Sequence, residues 1–205
     1  MHGFLTREGI APQEFLRLAE EEVRLRGFKR LRVVAVAEAA GMTHANIYRY
    51  FPSRAALADA VAVGWLKPIE AALLDAATAP DPAIDKLERM TLALAQAYRD
   101  RLERDPNLFA LFADAVEKSR PAARKHRNRS RELFGRVVEE ALGEDASRHE
   151  RDKALNLLFD SAHRFLHPTC LMQDRTAPRA AFDERLGLVL QVALRFFRAR
   201  ARELG

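Results

Sequence analysis

His44, Ala45, Asn46, Tyr48 and Arg49 fall within six residues of one another, and two apolar residues, Ile47 and Phe51, are spaced among them so as to share one side of a helix. At 3.6 residues per turn, His44, Ala45, Tyr48 and Arg49 then face roughly the opposite way. The outward set offers hydrogen-bond donors and acceptors on a helix narrow enough to enter the major groove of duplex DNA. There an arginine can engage guanine through two hydrogen bonds and an asparagine can engage adenine, each pair worth about 1–3 kcal/mol of discrimination.

Such a helix must be held by others. Val33 to Ala40 forms a short helix that stops at Gly41, where a tight turn is easiest in a left-handed backbone. Ala37 and Ala40 are small enough to let two helices cross closely. Val33, Val36, Ile47 and Phe51 can bury against a first helix that starts at Pro12, carries Phe15, Leu18, Ala19 and Val23 inward, and ends at Gly27. Thr43 is the expected cap of the reading helix, and Ser53, after Pro52, the expected cap of the next. From Arg24 to Arg54 there are seven basic residues and one acid, Glu38. This local charge exceeds the +5 of the whole chain and supplies a sequence-independent attraction to phosphates.

The remainder reads as longer helices. Ala, Leu, Glu, Lys and Arg make up more than half of the 205 residues, whereas Val, Ile and Thr together number only 21. An all-α fold follows. Leu57, Val61, Trp65, Ile69 and Leu73 mark one stripe. Asp81-Pro82 and Asp105-Pro106 open further helices, Pro121 starts another, and Ser147 with Glu150 fits a capping box. Two strongly apolar helices follow, at about 149–166 and 179–202. Three short and six longer helices make about nine. The division is a loose arm at 1–11, a unit at 12–56 whose helix pair spans about 32–51, and a larger unit at 57–205.

Gly27-Phe28, Val33, Val36-Ala37, Ala40-Gly41-Met42-Thr43, Ile47-Tyr48, Tyr50-Phe51, Ser53-Arg54 and Leu57 together resemble the N-terminal signature of TetR/AcrR-type transcriptional regulators. The resemblance covers about residues 12–66. It implies a three-helix helix-turn-helix DNA-binding domain followed by a helical effector-binding and dimerisation domain. By this likeness Thr43 touches a phosphate, His44, Ala45, Asn46 and Arg49 approach base edges, and Tyr48 and Arg54 hold the DNA backbone, with Tyr50 nearby. The family usually has Thr or Ser just before the second helix. Here Leu31-Arg32 stands there, and Arg32 takes over the phosphate contact by charge. Family members often carry Gly or Pro where this chain has Ala45.

The resemblance further implies a repressor that leaves a double-stranded, pseudo-palindromic operator when a small-molecule effector binds. One reading head contacts few base pairs, so a homodimer is expected, paired through the last two long helices. Trp65, Tyr98, Phe109, Phe112, Phe134, Phe159 and His163 are the candidate effector-pocket residues, although aromatic residues at helical spacing are more often core. Asp160, His163 and His167 share one face of a continuous helix, a spacing able to hold a divalent ion. A polar strip is the simpler account, and no metal or cofactor is assigned. The basic run from Lys118 to Arg131 reads as a solvated face. No GxSxG, HExxH, P-loop or GxGxxG motif is present, and Cys170 has no activating neighbour, so no catalysis is expected. A non-specific DNA-coating protein and a small-molecule carrier with a vestigial head are the rival readings. Without an apolar run of membrane length or a signal-like start, a soluble cytoplasmic protein is expected.

Overall fold

The computed structural model describes residues 12–41 and 43–203; the side chains of residues 12, 44–46 and 200–203 lie outside that description. The described residues contain eleven α-helices and no strand: α1 (Pro12–Arg26), α2 (Val33–Ala39), α3 (His44–Tyr50), α4 (Arg54–Thr78), α5 (Ala83–Arg104), α6 (Pro106–Glu117), α7 (Pro121–Leu142), α8 (Arg148–Ser161), α9 (His163–Leu166), α10 (Pro168–Gln173) and α11 (Arg179–Glu203). A 3-10 turn, Phe28–Arg30, links α1 to α2. None of these helices is long and apolar enough to cross a membrane. The chain divides into two compact units, residues up to Trp65 with Asp105–Ala122, and Leu66–Arg104 with the residues from Ala123 onward. The expected arm at 1–11 lies outside the described residues.

In the first unit α1 packs against α2 and α6, and α2 against α3. The small residues Ala37 and Ala40 are fully buried, as are Val36 and Ile47. Phe51 stacks on Phe15 with ring centroids 5.3 Å apart. Gly27 and Gly41 both have positive φ, +78° and +61°. A side chain at either position would be strained, and this is why the helices can turn so sharply there.

In the second unit α5 packs against α9, α10 and α11, and α8 against α9 and α11. Ser147 and Glu150 form the expected capping box at α8, and the Ser53 hydroxyl accepts from the Ala56 amide at 3.1 Å. Arg99 is buried. Its guanidinium donates to the carbonyls of Asp174, Arg175 and Ala177 and lies 5.4 Å from the Phe182 ring centroid. The connection between α10 and α11 is thereby fixed to α5.

Two expectations, the single helix at about 149–166 and the total of about nine, need correction. The helix placed at about 149–166 is two helices: α8 stops at Ser161, and α9 restarts after Ala162, whose φ and ψ are −88° and 1°. A further helix, α10, begins at Pro168, so the total exceeds nine. Asp105 stands at the cap position of α6 without making a side-chain cap bond; its carboxylate accepts from the Arg24 Nε at 2.7 Å.

Candidate nucleic-acid interface

The interface is built on two helices of seven residues each, too short to persist alone. Their apolar sides hold them: Ile47 is 1% exposed and Val36 3%. This burial fixes the rotation of α3 and leaves Tyr48, Arg49 and Tyr50 outward, with Tyr48 46% and Tyr50 45% exposed. The Arg49 Nη2 donates to the Tyr50 hydroxyl at 3.1 Å, and its guanidinium lies 5.1 Å from that ring's centroid. Arg49 is thus pre-positioned by a neighbour on its own helix. His44, Ala45 and Asn46 stand in the first turn of α3, but their side chains lie outside the described residues.

Thr43 occupies the cap position of α3 with extended backbone, φ −76° and ψ 150°, but makes no side-chain cap bond. The expected cap is therefore positional only, and the residue is exposed. Arg32 at the start of α2 likewise makes no side-chain cap bond. An arginine has donors only and cannot accept from the free amides of a helix start.

The charge is narrower than the sequence count implies. Arg24 is paired with Glu20 and Asp105, and Arg26 with Glu22. Lys29, Arg30, Arg32, Arg49 and Arg54 are exposed and make no ion pair among the described residues. Arg54 donates to the Lys29 carbonyl at 3.1 Å, and its guanidinium lies 5.1 Å from the Phe28 ring centroid. The Arg120 guanidinium lies 5.2 Å from the same centroid, and Arg120 also pairs with Asp59 and Asp114 at 3.5 Å. Sequence reasoning missed Arg120, because its contact with Phe28 joins positions 92 residues apart. Phe28 was visible within the signature but without a role.

Family models match two stretches. Residues 15–61 match the model described as bacterial regulatory proteins, tetR family, and residues 83–186 match the tetracyclin repressor-like, C-terminal domain. The chain belongs to the TetR family. It is a DNA-binding transcriptional regulator. A TetR transcriptional regulator from Rhodococcus sp. RHA1 shares the fold, with a TM-score of 0.57, 19% identity, and coverage of 89% of this chain and 93% of that one. No curated protein is a significant match.

The candidate effector residues of this TetR family regulator are distributed over both units. In the first unit, Trp65, Phe109 and Phe112 are buried and pack ring to ring at 6.1–6.3 Å. In the second unit, Phe134 and the half-buried Phe159 meet edge to face at 5.1 Å, and His163 is exposed. Tyr98 is buried, and its hydroxyl lies 2.7 Å from the His126 Nε2, while the His126 Nδ1 lies 2.8 Å from Glu70. Burial, and then the Glu70 charge, hold the Tyr98 hydroxyl above its usual range, so it remains a donor. Glu70 also lines a concavity of about 570 Å³ with Lys125, Asn128, Arg129 and Glu132.

Within the basic run, Lys118 pairs with Asp114 and Arg129 with Glu132, and Arg131 donates to Asn156. Lys118, Arg120 and Arg129 of that run are thus ion-paired within the chain.

Proposed function

We propose that this regulator is a repressor that occupies a pseudo-palindromic operator as a homodimer and is released by a small-molecule effector. It would act in the cytoplasm, where its operator lies. The reading unit is 12–56 and the effector and dimer unit is 57–205. In this reading His44, Ala45, Asn46 and Arg49 meet base edges, while Arg32, Thr43, Tyr48 and Arg54 hold phosphates, with Tyr50 nearby. The observation that carries it is the outward face of α3: aromatic and cationic side chains exposed on a helix whose opposite side is buried, bordered by unpaired cations at 29, 30, 32 and 54. The effector is proposed to act on the helices that carry Trp65, Tyr98, Phe109, Phe112, Phe134, Phe159 and His163.

The dimer is supported by Leu188, Val192 and Phe196, which recur every fourth residue on α11 and are 56%, 67% and 40% exposed. Leu157 on α8, the helix packed beside α11, is 40% exposed. An apolar stripe of this kind on a pair of long helices is suited to a two-fold helix pairing.

Selection of bound duplexes from a random pool tests the reading. A regulator of this kind enriches a two-fold symmetric sequence and prefers it to random DNA by about 10³–10⁷. Enrichment of no sequence would leave a non-specific coating protein as the better account, and no DNA binding would leave the carrier.

A further inference from the structure

The break in the helix at Ala162 rearranges the residues that spacing alone had grouped. Asp160 stays on α8, His163 opens α9, His167 stands between α9 and α10, and Cys170 lies on α10. A nitrogen of His163, a nitrogen of His167 and the Cys170 sulfur all come within 4.8 Å of one another, and the Asp160 carboxylate is not among them. The two imidazoles stack with centroids 4.8 Å apart and planes inclined by 28°. Cys170 is a free, half-buried thiol. The His167 Nδ1 is buried and has no hydrogen-bond partner among the described residues.

We propose that His163, His167 and Cys170 bind a late transition-metal ion, zinc(II) or copper(I). The donor set decides the class: two imidazoles and a thiolate suit borderline-to-soft ions, whereas magnesium and calcium require oxygen donors. Zinc takes nitrogen at about 2.0–2.1 Å and sulfur at about 2.3 Å in a tetrahedron, which places donor atoms roughly 3.3–3.6 Å apart. The widest separation here exceeds that by little more than an ångström, within the reach of side-chain rotation. Three protein donors leave a fourth zinc position for water or a further ligand, while copper(I) is satisfied by three. Binding would release the thiol proton and tie α9 to α10 across their short connection. The site is independent of the DNA reading and stands or falls separately.

The experiment uses the full chain, tag-free and kept reduced. Zinc(II) and copper(I) affinities are measured by competition with chromophoric chelators, and cobalt(II) serves as the optical stand-in for zinc. The expected results are one equivalent bound, a thiolate-to-cobalt charge-transfer band, and a melting temperature that rises with the metal. Cys170→Ser and His167→Ala, checked for folding by circular dichroism, should each weaken binding by at least about 100-fold, beyond what loss of an outer-shell group costs. They should also abolish the metal-dependent rise in melting temperature. Asp160→Ala should bind like the parent. Tight binding of zinc alone or of copper(I) alone, lost in both variants, supports the site. Binding of neither ion, binding unchanged in Cys170→Ser, or binding lost in Asp160→Ala while Cys170→Ser retains it, overturns the proposal.

Discussion

Arg49 and Arg54 are the sharpest case at the scale of single residues. Both are exposed, cationic and close to an aromatic ring, but their anchors differ. Arg49 leans on Tyr50 of its own helix and can leave that contact for a base edge at the cost of one hydrogen bond. Arg54 is fastened to the Lys29 carbonyl and to Phe28, which lie in the connection between α1 and α2. Arg49→Ala should therefore lose about 1–3 kcal/mol on the preferred sequence and relax preference at one base pair. Arg54→Ala should weaken all duplexes alike and lower the salt slope by about one. Titrations on site variants at several salt concentrations check both, and equal losses on every sequence for Arg49→Ala would contradict its assignment. The outward direction of Tyr48 and Arg49 was legible from the Ile47 and Phe51 spacing. The hold of Arg120 on the Phe28 ring was not, because no local pattern encodes a partner so far along the chain.

At the scale of elements, apolar spacing and punctuation by Pro, Gly, Ser and Asp located most helices. Leu57, Val61, Trp65, Ile69 and Leu73 are all buried, as their four-residue step implies. The same reasoning failed at Ala162. Leu155, Leu158, Phe159, Phe165 and Leu166 keep a helical rhythm through the point where α8 ends and α9 restarts, so hydrophobic period carries no sign of the break. It also gave no warning of Arg99, which a helical wheel treats as one more surface cation. Arg99 donates to three carbonyls of the chain between α10 and α11, which lose that shared donor once it is gone. Arg99→Ala should destabilise the protein by about 3 kcal/mol, and Arg99→Lys should recover little, since one ammonium cannot reproduce the planar fork. Urea unfolding of both variants at one protein concentration measures this. A loss within about 0.5 kcal/mol would show the loop to be held by other contacts.

For the whole molecule, the decisive feature is the uncovered stripe Leu188, Val192 and Phe196 on α11, with Leu157 on α8. Under the proposed pairing, introducing charge there should separate the subunits without disturbing the core, because none of these side chains is buried within the chain. Val192→Glu combined with Leu188→Glu should give a monomer by sedimentation, retain its helical circular dichroism, and lose operator affinity by more than about 100-fold through the loss of paired reading heads. A dimer that survives both changes would place the subunit contact elsewhere.

Local chemistry was settled by the order of residues: where most of the helices lie, that two short helices meet at Gly41, and which side of the second one carries Tyr48 and Arg49. These follow because backbone preference and apolar period act within a few residues. Tertiary structure decided what depends on long-range geometry. It paired Arg24 with Asp105 and left the cations at 29, 30, 32, 49 and 54 exposed. It interrupted the helix at Ala162, leaving Asp160 on α8, and turned the chain at His167, whose extended backbone leads into the helix that carries Cys170 beside the two histidines. It also left the α11 stripe uncovered. Pairing, bending and exposure are set by which surfaces compete for one another in three dimensions, and that competition leaves no periodic trace along the chain.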